Sequence, residues 1–282
     1  MSKIFWLVSY PKSGNTWLRA LLTNYLKNQD APANINELIG LPIASSRIWF
    51  DEWVGVEASM LDNELIANLR PAVYRCIAQE LKETYFMKVH DAWSCTESGE
   101  ALFPKDITAG VIYILRNPMD VAISYARFSG ISIDRTVGNL CDPEFTIACS
   151  AKELDLQLPQ HLSSWSGHIQ SWVDKSQLPI YIVRYEDLVI NTEKAFNSIT
   201  QFCGLTYDAI RLQKAVSFSS FRELQKQEKE IGFLEYSSKT AIPFFRRGET
   251  NSWRNEMHPE LARKLIEAHG ETMQRFGYLE KV

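Results

Sequence analysis

The chain predicts an α/β fold: a parallel β-sheet flanked by helices, with a P-loop-like phosphate-binding loop after the first strand. Three observations carry this. Short apolar runs rich in strand formers alternate with helix-period stretches, the pattern of a sheet covered on both faces. Each run stops at a polar or aromatic residue. The first run ends on Lys12-Ser13-Gly14 at the mouth of a helix. The 282 residues, 45% of them apolar, read as one domain over 1–282. A chain of this size buries about three quarters of its unfolded surface and folds without staples.

Residues 4–9 are apolar and read as a buried strand. Tyr10-Pro11-Lys12-Ser13-Gly14-Asn15 closes it with turn residues. Leu18, Leu21, Leu22, Tyr25 and Leu26 then fall on one helical face. Residues 30–60 lack a clear period and hold Trp49-Phe50-Asp51-Glu52-Trp53, which reads as a lid or pocket wall. Pro71 suits a helix start, with Val73, Ile77 and Leu81 on its face. Residues 85–89 and 111–115 are the second and third strands. Asn117-Pro118 opens a helix with Asp120 in its first turn. A fourth strand at 180–183 precedes a helix at 193–202. Residues 222–250 are charged and then turn-like around Pro243 and Gly248, and Pro259 opens the last helix, with Leu261, Leu265 and Met273 on one stripe.

Thirty Lys and Arg against 34 Asp and Glu give a net charge of −4. That excludes a generally basic nucleic-acid binder but permits a local basic pocket for an anion. The five cysteines contain no C-x-x-C pair, which points to reduced thiols in the cytoplasm, with neither a disulfide framework nor a thiolate metal site. No apolar run reaches the ~20 residues of a membrane helix, so neither membrane nor nucleic acid is an expected partner.

The chemistry collects where strands end: Lys12-Ser13-Gly14, Lys88-Val89-His90, Arg116-Asn117 and Arg184-Tyr185. Open α/β sheets bind ligands at that edge. A Gly-containing turn at a helix N-terminus offers N–H groups and the positive end of the helix dipole to a phosphate. Ser13 and Thr16 add hydroxyls and Lys12 a point charge. The G-K-[ST] of a Walker A loop is absent, and the plain alternative is a β-α turn with a solvated lysine. Other candidates read as structural. His161 and His168 lack an H-E-x-x-H pattern and suit packing or solvent rather than metal. His258 and His269 read as surface residues of the last helix, Trp165 and Trp172 as core, and residues 226–230 as a solvated helix face.

Two segments resemble one family closely. Tyr10-Pro11-Lys12-Ser13-Gly14-Asn15-Thr16-Trp17 resembles the 5′-phosphosulfate loop of the sulfotransferases, Y-P-K-[SA]-G-[TN]-T-W. Arg116-Asn117-Pro118-Met119-Asp120-Val121-Ala122-Ile123-Ser124-Tyr125 resembles their 3′-phosphate motif, R-N-P-x-D-x-x-x-S-Y. A looser match is Arg246-Arg247-Gly248 with Trp253-Arg254, like R-K-G-x-x-x-x-W-[KR]. The family's sulfuryl donor is 3′-phosphoadenosine 5′-phosphosulfate (PAPS), its product 3′,5′-adenosine bisphosphate (PAP), and no metal is required. The resemblance implies that Lys12, Ser13, Gly14, Asn15 and Thr16 hold the 5′-phosphosulfate and that Trp17 lies against adenine. It assigns Arg116, Ser124, Arg246, Arg247 and Gly248 to the 3′-phosphate, and Tyr185, Ser219, Ser220 and Phe221 to the adenine wall. Lys88-Val89-His90 is similar to a K-T-H segment in which His is the catalytic base and Lys holds sulfuryl oxygens.

Departures from the pattern are specific. Val89 replaces Thr, and Asp91-Ala92 replaces Leu-Pro, so Asp91 either orients the imidazole or competes with it. Asn251-Ser252 stand where the late motif has Gly-Asp, and no K-x-x-F-T-V dimer motif is evident. The expected activity is sulfuryl transfer to a hydroxyl or amine of a small-molecule acceptor by in-line displacement. Similar N-termini in bacterial tailoring sulfotransferases point to a secondary metabolite, with a cationic alkaloid as one form. Trp49, Asp51, Trp53 and Asp91 are the acceptor-side candidates, since aromatic faces beside carboxylates suit a cation. The rival readings are a nucleotide-dependent small-molecule kinase and a PAPS-binding module without turnover.

Overall fold

A computed structural model of the chain describes residues 3–149, 155–236 and 243–279. Its strands are β1 (Ile4–Val8), β2 (Tyr85–Val89), β3 (Thr108–Leu115), a two-residue pair β4 (Thr146–Ile147) and β5 (Gln160–His161), and β6 (Ile180–Arg184). Its helices are α1 (Asn15–Lys27), α2 (Arg47–Val54), α3 (Asn63–Glu80), α4 (Pro118–Ser129), α5 (Ile133–Cys141), α6 (Trp165–Gln170), α7 (Tyr185–Ile190), α8 (Thr192–Phe202), α9 (Ala209–Phe218), α10 (Phe221–Ile231), α11 (Trp253–Glu256) and α12 (Pro259–Arg275). The main sheet has the order β2-β1-β3-β6. β1 pairs in parallel with both neighbours, Val8 lying opposite Val89 and Tyr113. The predicted parallel α/β sheet is therefore what forms. Among the described residues no helix is long and apolar enough to cross a membrane.

The fold clusters into two compact units. The first comprises residues 1–10, 40–113 and 142–181. Its core is aromatic: Trp6 packs edge-on to Phe103 at 5.1 Å and to Tyr74 at 5.4 Å, and Phe103 meets Trp172 at 4.9 Å. The Trp6 indole donates to Thr108 Oγ1 at 2.8 Å, so the buried N–H keeps a partner. Trp165 and Trp172 are fully buried, as their spacing suggests.

The second unit comprises residues 11–39, 114–141 and 182–282. α1 buries Leu18, Leu21, Leu22 and Tyr25 on one face. α4 starts as its sequence predicts, with Pro118 at the first position and the Asn117 side chain accepting from Met119 N–H at 3.0 Å. Leu224, Phe233 and Phe245 close a cluster with Ala20, Ile35 and Leu38.

Four expectations need correction. Pro71 does not start a helix but lies inside α3, which begins at Asn63 behind an Asp62 cap. The buried stripe Ile66, Arg70, Val73, Tyr74 and Ile77 holds that helix, so packing overrides the local preference of proline. The aromatic cluster at 49–53 is not irregular: it forms α2, started by a Ser46 cap. His269 is buried rather than on the surface, while His258 is exposed. Residues 226–230 are not purely a solvated face, because the Glu228 carboxylate accepts from the N–H groups of Phe244 and Phe245. Within the charged stretch 222–250, residues 237–242 lie outside the described residues.

Candidate active site

In the second unit the loop before α1 is bent back at two residues. Lys12 has φ +70° and Gly14, the residue capping α1, has φ +106°. Only glycine fits position 14, since a Cβ there would lie 2.6 Å from Tyr185 Cδ2 and 3.1 Å from Ile114 Cδ1. The first turn of α1 thus presents its N–H groups to the loop. Ser13, Asn15 and Thr16 are buried around it. The Lys12 ammonium lies 3.7 Å from the centroid of the Phe244 ring and 4.2 Å from that of Phe128.

Arg116 follows β3 and ties this loop to a second one. Its Nη1 donates to the Lys12 carbonyl at 3.1 Å and its Nη2 to the Glu249 carbonyl at 3.0 Å. Its guanidinium carbon lies 4.3 Å from the Tyr185 ring centroid. Its Nε is buried and has no hydrogen-bond partner among the described residues. Glu186 beside it accepts from the Asn117 N–H at 3.0 Å and from Tyr278 Oη at 2.9 Å, which fixes the start of α7 against the end of β3. Burial raises the Glu186 carboxyl above its usual range, opposed by those same hydrogen bonds.

Tyr185, Trp17, Phe221, Ser220, Val216 and Gly248 line a cavity of about 250 Å³. Trp17 meets Tyr185 edge-on at 5.7 Å, and its indole donates to the Ser219 carbonyl at 2.9 Å. Ser219 is fully buried, its hydroxyl accepting from Asn24 Nδ2 at 3.0 Å, whereas Ser220 is exposed and caps α10. Gly248, at φ +66°, comes so close to Phe221 that a Cβ would lie 2.7 Å from the ring.

The loop after Gly248 is held from α4. The Asp120 carboxylate, 1% exposed, accepts from Asn251 N–H at 2.7 Å, Trp253 N–H at 3.0 Å and Ser252 Oγ at 3.1 Å. Asn251 takes φ +61° where the resembled motif has glycine, a conformation asparagine tolerates better than most side chains. Ser124, four residues after Asp120 on the same helix, is half-buried. Arg246 and Arg247 both reach Glu256 Oε1, at 3.5 and 3.4 Å, and Arg127 pairs with Glu256 Oε2. Sequence reasoning missed the parts played by Asp120, Arg127 and Glu256. The available signal was the i, i+4, i+7 spacing of Asp120, Ser124 and Arg127, which puts all three on one face of α4.

The first unit carries the other candidates. His90 follows β2, and its Nδ1 lies 2.8 Å from the Ser9 carbonyl and 3.3 Å from Ser9 Oγ. A carbonyl only accepts, so Nδ1 carries a proton and donates to Ser9. The His90 carbonyl accepts from His168 Nε2 at 2.9 Å, and Tyr113 Oη donates to His168 Nδ1 at 2.6 Å. Burial lowers the His168 pKa to about 4, which keeps this ring neutral. Lys88, half-buried, sits in β2 two residues before His90.

Asp91 is engaged elsewhere. Both its oxygens accept from Arg70, at 2.7 and 2.9 Å, in a pair whose side chains are 4% and 3% exposed. Burial opposes the charge on Arg70, and the Asp91 carboxylate nevertheless holds that guanidinium well above its usual pKa. The expectation that Asp91 serves the imidazole or an acceptor therefore gives way to a buried ion pair. Asp51 likewise accepts from the Ala58 N–H at 2.7 Å, locking the turn after α2. Trp49 is half-buried against Tyr85, and Trp53 is 40% exposed.

The second unit thus sets a glycine loop at a helix N-terminus beside an aromatic cavity, with Arg116 against its Tyr185 wall. The sulfotransferase-domain family model matches residues 2–277. Sulfotransferase 1E1 of Bos taurus is 23% identical over 265 residues, 92% of this chain and 79% of that protein. The 3-beta-hydroxysteroid sulfotransferase of Cavia porcellus is 24% identical over 288 residues, 98% and 84% of the two chains. The fold matches that of mouse sulfotransferase SULT7A1 complexed with PAP, with a TM-score of 0.62 and 19% identity over 96% of this chain and 84% of that one. The chain belongs to the PAPS-dependent sulfotransferase family.

Proposed function

We propose that this enzyme transfers a sulfuryl group from PAPS to a hydroxyl or amine of a small-molecule acceptor by in-line displacement. One observation carries the reading. Arg116 joins the Lys12 loop to the Gly248–Glu249 loop at the edge of an aromatic cavity, with one buried guanidinium nitrogen left to donate. Two glycines keep that cradle open where a Cβ would strike the Tyr185 or Phe221 ring. These residues fit a doubly phosphorylated adenine nucleotide.

When bound, PAPS supplies the activated sulfuryl group and a 5′-phosphate leaving group. Lys12, Ser13, Gly14, Asn15 and Thr16 hold the 5′-phosphosulfate, and the Lys12 charge together with the α1 N-terminus meets the negative charge that develops on departure. Trp17, Tyr185 and Phe221, with Ser219 and Ser220, form the adenine wall. Arg116, Ser124, Arg246, Arg247 and the Gly248 backbone hold the 3′-phosphate. His90 Nε2 accepts the proton of the acceptor O–H or N–H, a role its Nδ1–H bond to Ser9 supports by fixing the tautomer. Lys88 holds sulfuryl oxygens in the transition state.

On the acceptor side, a secondary metabolite remains the proposed class, with a cationic alkaloid favoured by the half-buried Trp49 and exposed Trp53. The setting is cytoplasmic, since the five free thiols suit a reducing compartment. The test is an acceptor screen with isotope-labelled PAPS in EDTA, read by mass spectrometry. Labelled sulfuryl on an acceptor, lost in His90→Ala, supports the proposal. Binding of PAP with no transfer to any acceptor contradicts it, and phosphoryl transfer from ATP that EDTA abolishes supports the kinase reading instead.

A further inference from the structure

α4 grips the late loop at two levels. Near its start Asp120 takes the Asn251 and Trp253 N–H groups. Two turns on, from the same face, Arg127 takes Glu256 at the end of α11. Between them lies Ser124, and the segment so held carries Arg246 and Arg247. Three guanidiniums therefore meet one carboxylate that is 16% exposed.

They do not share it equally. Arg127 makes the close pair through Oε2, while Arg246 and Arg247 stand at 3.5 and 3.4 Å from Oε1, at the limit of hydrogen bonding. Arg127 Nη1 is buried and without a hydrogen-bond partner among the described residues. A carboxylate has one unit of charge to neutralise. If Arg127 takes it, the charge of Arg246 stays available to an anion, as does that of Arg247 beyond its longer pairing with Glu249 at 3.8 Å. If Arg127 is lost, Glu256 has only Arg246 and Arg247 to turn to, and it becomes an internal competitor for whatever they bind.

We infer that Arg127 is a positioning residue for recognition of the 3′-phosphate: by sequestering the Glu256 carboxylate it keeps Arg246 and Arg247 free for the nucleotide. The inference rests on the reading that these arginines face the 3′-phosphate. It goes beyond that reading by giving this chain a built-in charge competitor and the residue that restrains it. Arg127 touches neither donor nor acceptor in this account. It acts through Glu256.

The test is calorimetric. PAP and 5′-AMP, which lacks the 3′-phosphate, are titrated into wild type, Arg127→Gln, Glu256→Gln and the double variant, with thermal melts run alongside. Arg127→Gln is expected to weaken PAP about tenfold and leave AMP unchanged, because only the 3′-phosphate competes with Glu256. The double variant recovers wild-type PAP affinity, since the competitor has gone as well. Glu256→Gln alone binds PAP at least as tightly as wild type. A purely structural role makes the opposite forecast: Arg127→Gln weakens both ligands and the double variant stays weak or worsens. That result overturns the inference, as does PAP affinity lost in Glu256→Gln. The Glu256→Gln arm decides the matter even if Arg127→Gln fails to fold. A wild type that binds PAP no better than AMP refutes the underlying 3′-phosphate reading instead, and so separates the two failures.

Discussion

Arg116 donates to the backbone carbonyl of Lys12 at 3.1 Å across 104 residues of sequence, while its guanidinium carbon lies over the Tyr185 ring. One side chain thus sets the distance between the glycine loop and the aromatic cavity. A lysine at 116 has neither the fork to reach two carbonyls nor the plane to stack. Arg116→Lys and Arg116→Ala are both expected to weaken PAP by ~2 kcal/mol or more, as for a buried charged contact. Calorimetry checks this, and an unchanged affinity in either variant removes Arg116 from the site.

Lys12 is expected to act on rate more than on ground-state binding. Lys12→Met should lower kcat at least ~10²-fold, the magnitude for losing a group aimed at developing charge, with a smaller change in PAP affinity. Steady-state turnover with a hydroxyl acceptor and PAPS measures it. Wild-type kcat in the variant ends the assigned role.

Gly14 is a steric test of the same cradle. Gly14→Ala combines a left-handed backbone with a Cβ 2.6 Å from the Tyr185 ring. The backbone strain alone costs about 1–3 kcal/mol, and moving the ring distorts the cavity. Nucleotide affinity should fall at least tenfold, read by calorimetric titration with PAP. Full affinity in the variant shows that the ring and the nucleotide do not share this space.

Asp91→Asn separates a structural from an acceptor role. Breaking one partner of a buried ion pair costs roughly 3–5 kcal/mol, because Arg70 keeps its charge without a counter-ion. Urea denaturation should show that loss. A variant of unchanged stability with a raised acceptor KM would return Asp91 to the acceptor site.

Two buried histidines set an acid limit on stability. Burial lowers both His168 and His269 to about 4 from 6.5. As pH falls below 6.5 the unfolded chain takes up these protons first, so the folded state loses stability down to about pH 4 and is at full strength above 6.5. The linkage is worth on the order of 3 kcal/mol per histidine. Chemical denaturation at pH 7.5 and pH 5 should therefore give clearly different midpoints, and a flat profile would contradict the buried-neutral assignment.

Much of this was readable in the chain because it is local. The strand at 85–89, the Pro118 helix start and the Pro259 helix follow from residue order alone, and all three form as predicted. Thr108 and Arg184 extend strands beyond their predicted ends, since strand length depends on what lies alongside. Arg70 on α3 meets Asp91, and Asp120 meets Asn251 across 131 residues, contacts that no periodicity announces. Asn251 shows the same limit from the other side: it stands where the resembled motif has glycine, yet it takes a left-handed backbone and its N–H donates to the Asp120 carboxylate. Likewise Asp51 and Asp91, chemically apt for an acceptor, are spent on a turn and an ion pair.

The central claim is that the Lys12 loop and Arg116 grip the two phosphate ends of one adenine nucleotide. Titrating wild type with PAP and with 5′-AMP in EDTA tests it most directly. The account predicts one site per chain for PAP, tighter than AMP by at least tenfold and indifferent to metal. No PAP binding, or equal affinity for the two nucleotides, would contradict it.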